Sequence, residues 1–121
     1  MAVGLPILAN LDNETYTRIF RRYSYLNECP ILSTTPESLL ENLRLLVMRP
    51  DLREELGIAG REYADKYHSD TTAQFIYTSI YKSIYHNEDI DLMNIFHPIK
   101  AGFNSRRALI KHPLRENKFP F

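Results

Sequence analysis

Cysteine is nearly absent from this sequence, since Cys29 is the one thiol in 121 residues. A single cysteine excludes a disulfide within the chain and is typical of a protein from a reducing compartment. No basic group lies near it in sequence, so we interpret it as a small buried hydrophobic side chain and not as a nucleophile.

The sequence also lacks an excess of one charge and any long hydrophobic run. Its 15 basic and 15 acidic side chains cancel, which removes the electrostatic argument for binding nucleic acid. No apolar run approaches the ~20 residues that span a bilayer. The N-terminus has no basic segment of the kind that opens a secretory signal, and Pro6 interrupts the apolar stretch there. These absences predict a cytoplasmic protein.

Patterns for catalysis and metal binding are missing as well. The histidines stand alone in the sequence, without the close spacing or the cysteine partners of a metal site; they are His68, His86, His97 and His112. Paired carboxylates, a Ser/His/Asp order and a phosphate-binding loop are not found. The residues therefore predict no catalytic side chain, no metal and no cofactor, and His68, which precedes a helix cap, is interpreted as structural.

The first ten residues carry the clearest local signal. Gly4 can adopt the left-handed conformation that ends a helical turn, and Pro6 blocks any continuation. Residues 5–9 are apolar at every position, which is typical of a strand covered on both faces in a parallel sheet. A chain that begins one turn before such a strand is expected to be a truncated domain.

A βαβ unit is predicted next. Asp12 or Asn13 caps a helix from about Glu14 to Tyr23. Residues 29–33 form a second short apolar run, so strand, helix and strand predict two parallel strands joined by a crossover. The apolar face of the helix consists of Tyr16, Ile19, Phe20 and Tyr23. Its other side is a solvated face or, less favoured, a phosphate site made of Arg18, Arg21 and Arg22.

Two further helices are predicted before residue 68. Thr35 caps the first and Pro36 takes its first position. The core-facing stripe of this helix is predicted at Leu39, Leu40, Leu43, Leu46 and Val47. The second covers residues 51–67 and contains Gly57 and Gly60. Each glycine costs roughly 1 kcal/mol relative to alanine inside a helix, so their presence indicates that another backbone passes close by.

Ser69 is predicted to cap a last helix from Asp70 to about Tyr85. Its apolar residues form two adjacent rows, Ile76, Ile80 and Ile84 beside Tyr77, Tyr81 and Tyr85. A face of this width favours packing in a core or an interface over an aromatic binding site.

Residues 86–121 are predicted to form a partly ordered extension, with a short helix over residues 90–96. From residue 97 the extension is basic, with Lys100, Arg106, Arg107, Lys111, Arg115 and Lys118 against the single acidic Glu116. Two interpretations stay open. The extension contacts anionic lipid, at ~1 kcal/mol per basic residue, or, as the favoured alternative, it packs on a neighbouring domain.

Several segments occur in a recognisable order: MAVGLPILA at residues 1–9, TPESLLENL at 35–43, RPDLREELG at 49–57, AGREY at 59–63 and KYHS at 66–69, followed by an amphipathic helix. This order closely resembles the C-terminal end of retaining nucleotide-sugar glycosyltransferases of the GT-B architecture, which build bacterial surface polysaccharides. The likeness covers residues 1 to about 85.

The resemblance implies an α/β fold, a partial Rossmann-like domain with two short parallel strands, mostly helices and an irregular C-terminal tail. It implies a parent enzyme that transfers a sugar from a nucleotide-diphosphate donor to a polysaccharide or lipid-linked acceptor without a metal. Such an enzyme is cytoplasmic and can be peripheral at the inner face of the membrane. The domain boundaries that follow are 1–85 for the nucleotide-sugar-binding part and 86–121 for the extension.

The resemblance also assigns site residues. Gly4, Leu5 and Pro6 match the family's loop beside the nucleotide, the rim of the donor site. In the family, two glutamates separated by seven residues grip the donor, and the second lies two residues before the methionine that Met1 matches. Those glutamates, the basic residues that bind the diphosphate and the acceptor domain would all precede this chain, so it is expected to be an inactive fragment.

The loop after the first strand, residues 12–14, lies at the usual ligand side of an open α/β sheet, although the glycines that are common there in the family are missing from this chain. A different class of function also stays open. The chain is alternatively a non-enzymatic helical binding module that docks on a protein partner or an anionic membrane through its last helix or its basic extension.

Overall fold

The computed structural model describes residues 1–96 and 107–114. Along them lie β1 (Leu8–Ala9), α1 (Glu14–Tyr23), β2 (Leu32–Ser33), α2 (Leu39–Met48), α3 (Pro50–Tyr67) and α4 (Asp70–Tyr85), with short 3₁₀ turns at Leu26–Glu28 and Leu92–Asn94. The two strands are parallel, with Leu8 opposite Leu32 and Ala9 opposite Ser33. The predicted α/β class and the parallel strand–helix–strand unit are confirmed.

The strands are shorter and more open than the sequence predicts. The apolar runs suggested five residues each, whereas β1 and β2 have two residues each. Leu32 is fully buried, but Leu8 is half-buried and Leu5 is 64% exposed. The prediction that the first strand is covered on both faces is wrong for the described residues, because both residues of β1 are only half-buried.

Helices α1 and α4 have the bounds and the caps that the sequence predicts. The Asn13 side chain accepts a hydrogen bond from the amide of Tyr16 at 3.1 Å and begins α1. Ser69 accepts from the amide of Thr72 at 3.4 Å and begins α4. Both are N-caps in extended backbone conformation, where a side-chain oxygen pairs an amide that the helix itself leaves unpaired.

Helix α2 begins later than predicted, at Leu39. The amide of Ser38 donates to the Thr35 hydroxyl at 3.3 Å, and the amide of Thr35 donates to the Ser38 hydroxyl at 2.9 Å. This reciprocal pair is the hydrogen-bond pattern of a capping box. Ser38 is therefore the residue that precedes α2, and Thr35 pairs with it across a turn, so the prediction that Thr35 caps the helix and Pro36 takes its first position is wrong.

Two helices present their apolar stripes to solvent. In α1 the buried residue is Thr17, whose hydroxyl donates to the Leu11 carbonyl at 2.7 Å. In α2 the buried residue is Leu46, so the prediction that the whole stripe faces the core is wrong. The exposed apolar side chains of the two helices are Tyr16, Ile19, Phe20, Leu39, Leu40, Leu43, Val47 and Met48. Two strands ~4.8 Å apart offer a face no wider than one helix of ~10 Å diameter, too narrow for both stripes.

Helix α4 has a buried polar side and an exposed tyrosine row. Thr72 and Ser79 are buried, with Ile76 and Ile80 half-buried beside them. The tyrosine row, Tyr77, Tyr81 and Tyr85, is more than half exposed, and its rings follow one another at centroid distances of 6.5 and 6.0 Å. Of the two rows that predicted a packing face, the tyrosine row does not lie in the core of the described structure.

The N-terminal turn crosses α3 at its glycines. Gly4 has φ +77°, in the left-handed region, and its amide donates to the Met1 carbonyl at 2.8 Å. A Cβ placed on Gly57 would stand 2.1 Å from the Gly4 carbonyl oxygen, whereas one on Gly60 would stand 3.4 Å from Met1 Cγ. The prediction that another backbone passes close to this helix is confirmed at Gly57.

Among the described residues, the core is built on α3 and contains two clusters. The first contains Cys29, Tyr63 and Tyr67, with half-buried side chains around them that include Ile110. The second contains Leu32, Leu46, Leu52 and Leu56, with Leu8, Leu45 and Leu114 packed against it. Cys29 is buried as predicted. Residues 107–114 thus contribute to both clusters.

The short helix predicted over residues 90–96 is reduced to the 3₁₀ turn Leu92–Asn94, where Asp91 accepts from the amide of Asn94. Within the described ranges, no helix is both long and apolar enough to cross a bilayer. The predictions made for His97, Lys100, Arg106, Arg115, Glu116 and Lys118 lie outside the described residues.

The two glycines of α3 give a matched test of the close approach. We expect Gly57→Ala to lower the free energy of unfolding by about 1–3 kcal/mol, because its Cβ overlaps a carbonyl oxygen that only a backbone shift can move. Gly60→Ala meets a flexible methionine side chain and gains helix propensity, so it should be neutral or stabilising by up to ~1 kcal/mol. Urea denaturation of both variants measures the difference, and equal effects would contradict the geometry.

Candidate functional site

The loops after β1 and β2 meet at the carboxyl edge of the strand pair, where ligands bind in open α/β sheets. Here the polar groups pair with one another. The Thr34 hydroxyl donates to the Leu32 carbonyl at 3.0 Å and accepts from Asn42 Nδ2 at 3.0 Å. After β1, Asn10 accepts from the amide of Asp12 at 2.9 Å. These bonds fix the two loops internally.

The predicted rim of the donor site lies at the other end of β1. Gly4, Leu5 and Pro6 precede the strand, whereas residues 12–14 follow it, so the structure does not bring the two loops together. The carbonyl of Gly4 faces Gly57 of α3, which gives this glycine a packing role. Leu5 is exposed and Pro6 is half-buried. A contact between these three residues and a nucleotide stays a prediction.

Two charges that are largely buried form an ion pair that the sequence did not predict. Lys66 Nζ, on α3, lies 2.6 Å from Glu28 Oε2, and the two side chains are 4% and 14% exposed. The Tyr67 hydroxyl donates to the second carboxylate oxygen, Oε1. Both oxygens of Glu28 are thus engaged, as a buried carboxylate requires.

Residues 107–114, which we call the docked segment, close this ion pair from the outside. The amide of Ile110 donates to Glu28 Oε2 at 3.0 Å, and Lys66 Nζ donates to the Ala108 carbonyl at 3.2 Å. At the start of the segment, Arg107 forms an ion pair with Asp65 of α3. The docked segment therefore packs on this domain, whereas the sequence favoured packing on a neighbouring one.

His112 attaches the other end of the docked segment. Its Nδ1 accepts from the amide of Leu114 at 3.2 Å, and its Nε2 lies 3.1 Å from the Ile31 carbonyl. Because Nδ1 is the acceptor, Nε2 carries the proton and donates to that carbonyl. The histidine thus holds the segment beside the residues that lead into β2, and its role in the fold is structural.

Burial and hydrogen bonding set the protonation of this region. Burial alone raises the pKa of Glu28, but hydrogen bonds from Lys66, Tyr67 and the amide of Ile110 outweigh it, and the pKa lies below the ordinary 4.5. Glu28 is therefore ionised at neutral pH. Burial raises the pKa of the Cys29 thiol and of the Tyr63 hydroxyl. The thiol stays protonated, which argues against a nucleophilic role.

Aromatic rings fill the space behind the ion pair. Tyr25 stacks on Tyr67 at a centroid distance of 4.8 Å and meets the edge of His68 at 5.1 Å. Tyr63 lies 5.9 Å from Tyr25 in a T-shaped arrangement. His68 thus contacts two of these rings from an exposed position. Within residues 1–96 and 107–114, no three side chains of the metal-binding types converge.

An open pocket of about 360 Å³ lies between α3 and the docked segment. Its apolar lining includes Ile58 and Leu109, and charged side chains at its border include Glu55, Glu62 and Lys111. The pocket exists because the docked segment supplies one of its walls. Its lining offers no arrangement of acid, base and nucleophile that would indicate a reaction.

A sequence signal for the ion pair existed. The buried residues of α3 recur at spacings of three and four, and Lys66 occupies one position of that stripe. A lysine on a buried stripe requires an acceptor, because an unpaired charge is costly to desolvate. Its partner, Glu28, lies 38 residues away, and no local pattern connects the two.

Removal of the buried ammonium should be far more costly than removal of an exposed one. Lys66→Met leaves Glu28 as a buried, uncompensated charge, and we expect a loss of about 3–5 kcal/mol in the free energy of unfolding. Lys82→Met is the control, since Lys82 pairs with Glu88 at 3.7 Å with both side chains about half exposed, and it should cost no more than about 1 kcal/mol. Urea denaturation at pH 7 measures both, and a similar small loss for the two variants would contradict the burial.

No protein-family model, curated protein or solved structure matches this chain. Its function is therefore inferred from its residues and from the geometry described above.

Proposed function

We propose that the chain is the C-terminal part of the nucleotide-sugar-binding domain of a retaining GT-B glycosyltransferase. The parent enzyme transfers a sugar from a nucleotide-diphosphate donor to a polysaccharide or lipid-linked acceptor in the cytoplasm. The ordered segments that resemble this family support the proposal, and so does the parallel α/β unit on which they lie. The observation that carries it is a two-stranded parallel sheet flanked by helices whose apolar stripes are exposed.

The sheet lacks neighbours on both sides within the described residues. β1 and β2 pair with each other, and each has an outer edge without a strand among those residues. Parallel sheets are normally wider and have both faces covered by helices. Additional parallel strands beside β1 and β2 would satisfy these edges and would widen the sheet beneath the helices.

The apolar stripes of α1 and α2 support the same proposal. Residues of both stripes, among them Phe20, Leu40 and Val47, are more than half exposed. Monomeric soluble proteins rarely expose large contiguous apolar patches. In a doubly wound domain such stripes lie against strands and helices of the same domain. The unpartnered stripes therefore favour a chain that works as part of a larger α/β domain.

Catalysis is assigned to the parent and not to this chain. In the parent, basic side chains and a helix N-terminus would stabilise the leaving diphosphate electrostatically. Gly4, Leu5 and Pro6 would form the rim of that donor site, in line with the exposure of Leu5. The chain by itself is proposed to be catalytically inactive because the groups that grip the donor are not among its residues.

The genomic sequence upstream of Met1 tests the proposal directly. We expect an open reading frame that continues upstream, with glutamate codons at the second and the tenth positions before Met1. The full reading frame, when expressed, should release nucleoside diphosphate from a panel of nucleotide sugars, whereas the purified 121-residue chain should release none. Release by the short chain would overturn the assignment of catalysis to the parent.

A stop codon and a ribosome-binding site immediately before Met1 would contradict the proposal. That outcome would favour the second candidate, a non-enzymatic binding module. The observation behind it is the row Tyr77, Tyr81 and Tyr85 on the outer side of α4, because tyrosine is enriched at protein–protein interfaces. Flotation with anionic liposomes at low and physiological salt would then separate a protein partner from a membrane, since a membrane-binding module floats with the liposomes.

A further inference from the structure

The Glu28–Lys66 pair contacts the main chain of the docked segment. Lys66 donates to the carbonyl of Ala108, and Glu28 accepts from the amide of Ile110. In an extended chain the polar groups of residues i and i+2 point to the same side. In a parallel sheet, one residue of the neighbouring strand donates to such a carbonyl and accepts from such an amide. The side chains of Lys66 and Glu28 thus make the two hydrogen bonds that a strand residue would make with its main chain.

Over residues 109–112 the burial of the side chains alternates as it does in an extended peptide, and the chain bends at Pro113 and Leu114. Ile110 is half-buried against the cluster of Cys29, Tyr63 and Tyr67. Leu109 and Lys111, on either side of it, are exposed. Further along, Leu114 packs against the second core cluster.

His112, which lies between Ile110 and Leu114 in the sequence, makes a further contact. The imidazole of His112 donates from Nε2 to the carbonyl of Ile31 at 3.1 Å. The segment is therefore recognised at Ile110, His112 and Leu114, together with the main-chain groups of residues 108 and 110. None of these contacts requires a covalent connection between the segment and the helices that hold it.

We propose that Glu28 and Lys66 form the clamp of a peptide-binding groove between α3 and the 3₁₀ turn Leu26–Glu28. The groove takes a peptide with the pattern Ile-x-His-x-Leu that is extended as far as the histidine and bends after it, and residues 107–114 of this chain are its resident ligand. Charged hydrogen bonds to the peptide main chain supply the affinity, and the apolar side chains set the register. The groove is separate from the carboxyl edge of the strand pair.

A synthetic peptide tests the groove in the full-length chain. The probe is fluorescein-labelled RALIKHPL, the sequence of residues 107–114. Its partner is the full chain with Ile110→Asp and Leu114→Asp, which release the resident segment by placing one carboxylate against the cluster of Cys29, Tyr63 and Tyr67 and another in the leucine cluster. Fluorescence anisotropy should show saturable binding to this variant. The wild-type chain should bind at least tenfold more weakly, since its own segment competes at a high effective concentration.

Two modified peptides distinguish binding through the Glu28–Lys66 clamp from non-specific hydrophobic binding. N-methylation at Ile110 removes the hydrogen that Glu28 accepts and should weaken binding at least tenfold, the loss expected for a hydrogen bond to a charged group. N-methylation at Lys111 is the matched control, because the peptide group formed by the Ile110 carbonyl and the Lys111 nitrogen takes no part in the clamp, and it should leave affinity within about twofold of the unmodified peptide.

Equal binding of the two methylated peptides would overturn the proposal. So would the absence of binding to the released variant when its circular dichroism shows that it is folded. Should the double variant not fold, Ile110→Pro in the full chain is the milder release, since it removes the same amide hydrogen and adds no charge. With that variant, equal binding of the two methylated peptides, or no binding to the folded chain, would again overturn the proposal.

Discussion

The ion pair between Glu28 and Lys66 joins three parts of the chain that are distant in sequence: the 3₁₀ turn Leu26–Glu28, the last turn of α3 and the docked segment. Desolvation of two charges is costly, and the cost is offset only when geometry and additional hydrogen bonds are good. Here Tyr67 and the main chain of residues 108 and 110 supply those bonds. The pair therefore commits the segment to one place, since its departure would leave buried charge with fewer partners.

Around this fixed centre the chain is unevenly packed. Side chains along one face of α3 are buried, including Leu52, Leu56 and Tyr63, whereas α1 and α2 turn most of their apolar side chains to solvent. A well-packed centre with unpartnered flanking helices is what one part of a larger α/β domain presents. The glycosyltransferase proposal explains this contrast through further strands and helices of a parent enzyme. The peptide groove depends on the packed centre alone.

Local signals in the sequence predicted local structure well. Asn13 and Ser69 are short polar side chains ahead of amphipathic runs, and each begins its helix where the sequence placed it. Gly57 indicated that another backbone passes close to α3. Glycine is unfavourable inside a helix, so it is expected there mainly where a larger side chain does not fit. Periodicity failed for α2 for a physical reason. It identifies the residues that share a face, such as Leu39 and Leu46, but not how much of that face a partner covers. The ion pair was missed because it joins residues 38 positions apart.

Native-state hydrogen exchange of single amides shows whether the ion pair holds the docked segment in its place. The amide of Ile110, which donates to Glu28, should exchange far more slowly than that of Leu109, whose residue is 74% exposed. Equally fast exchange at the two amides would be the contradicting result, because the segment would then spend most of its time away from the ion pair.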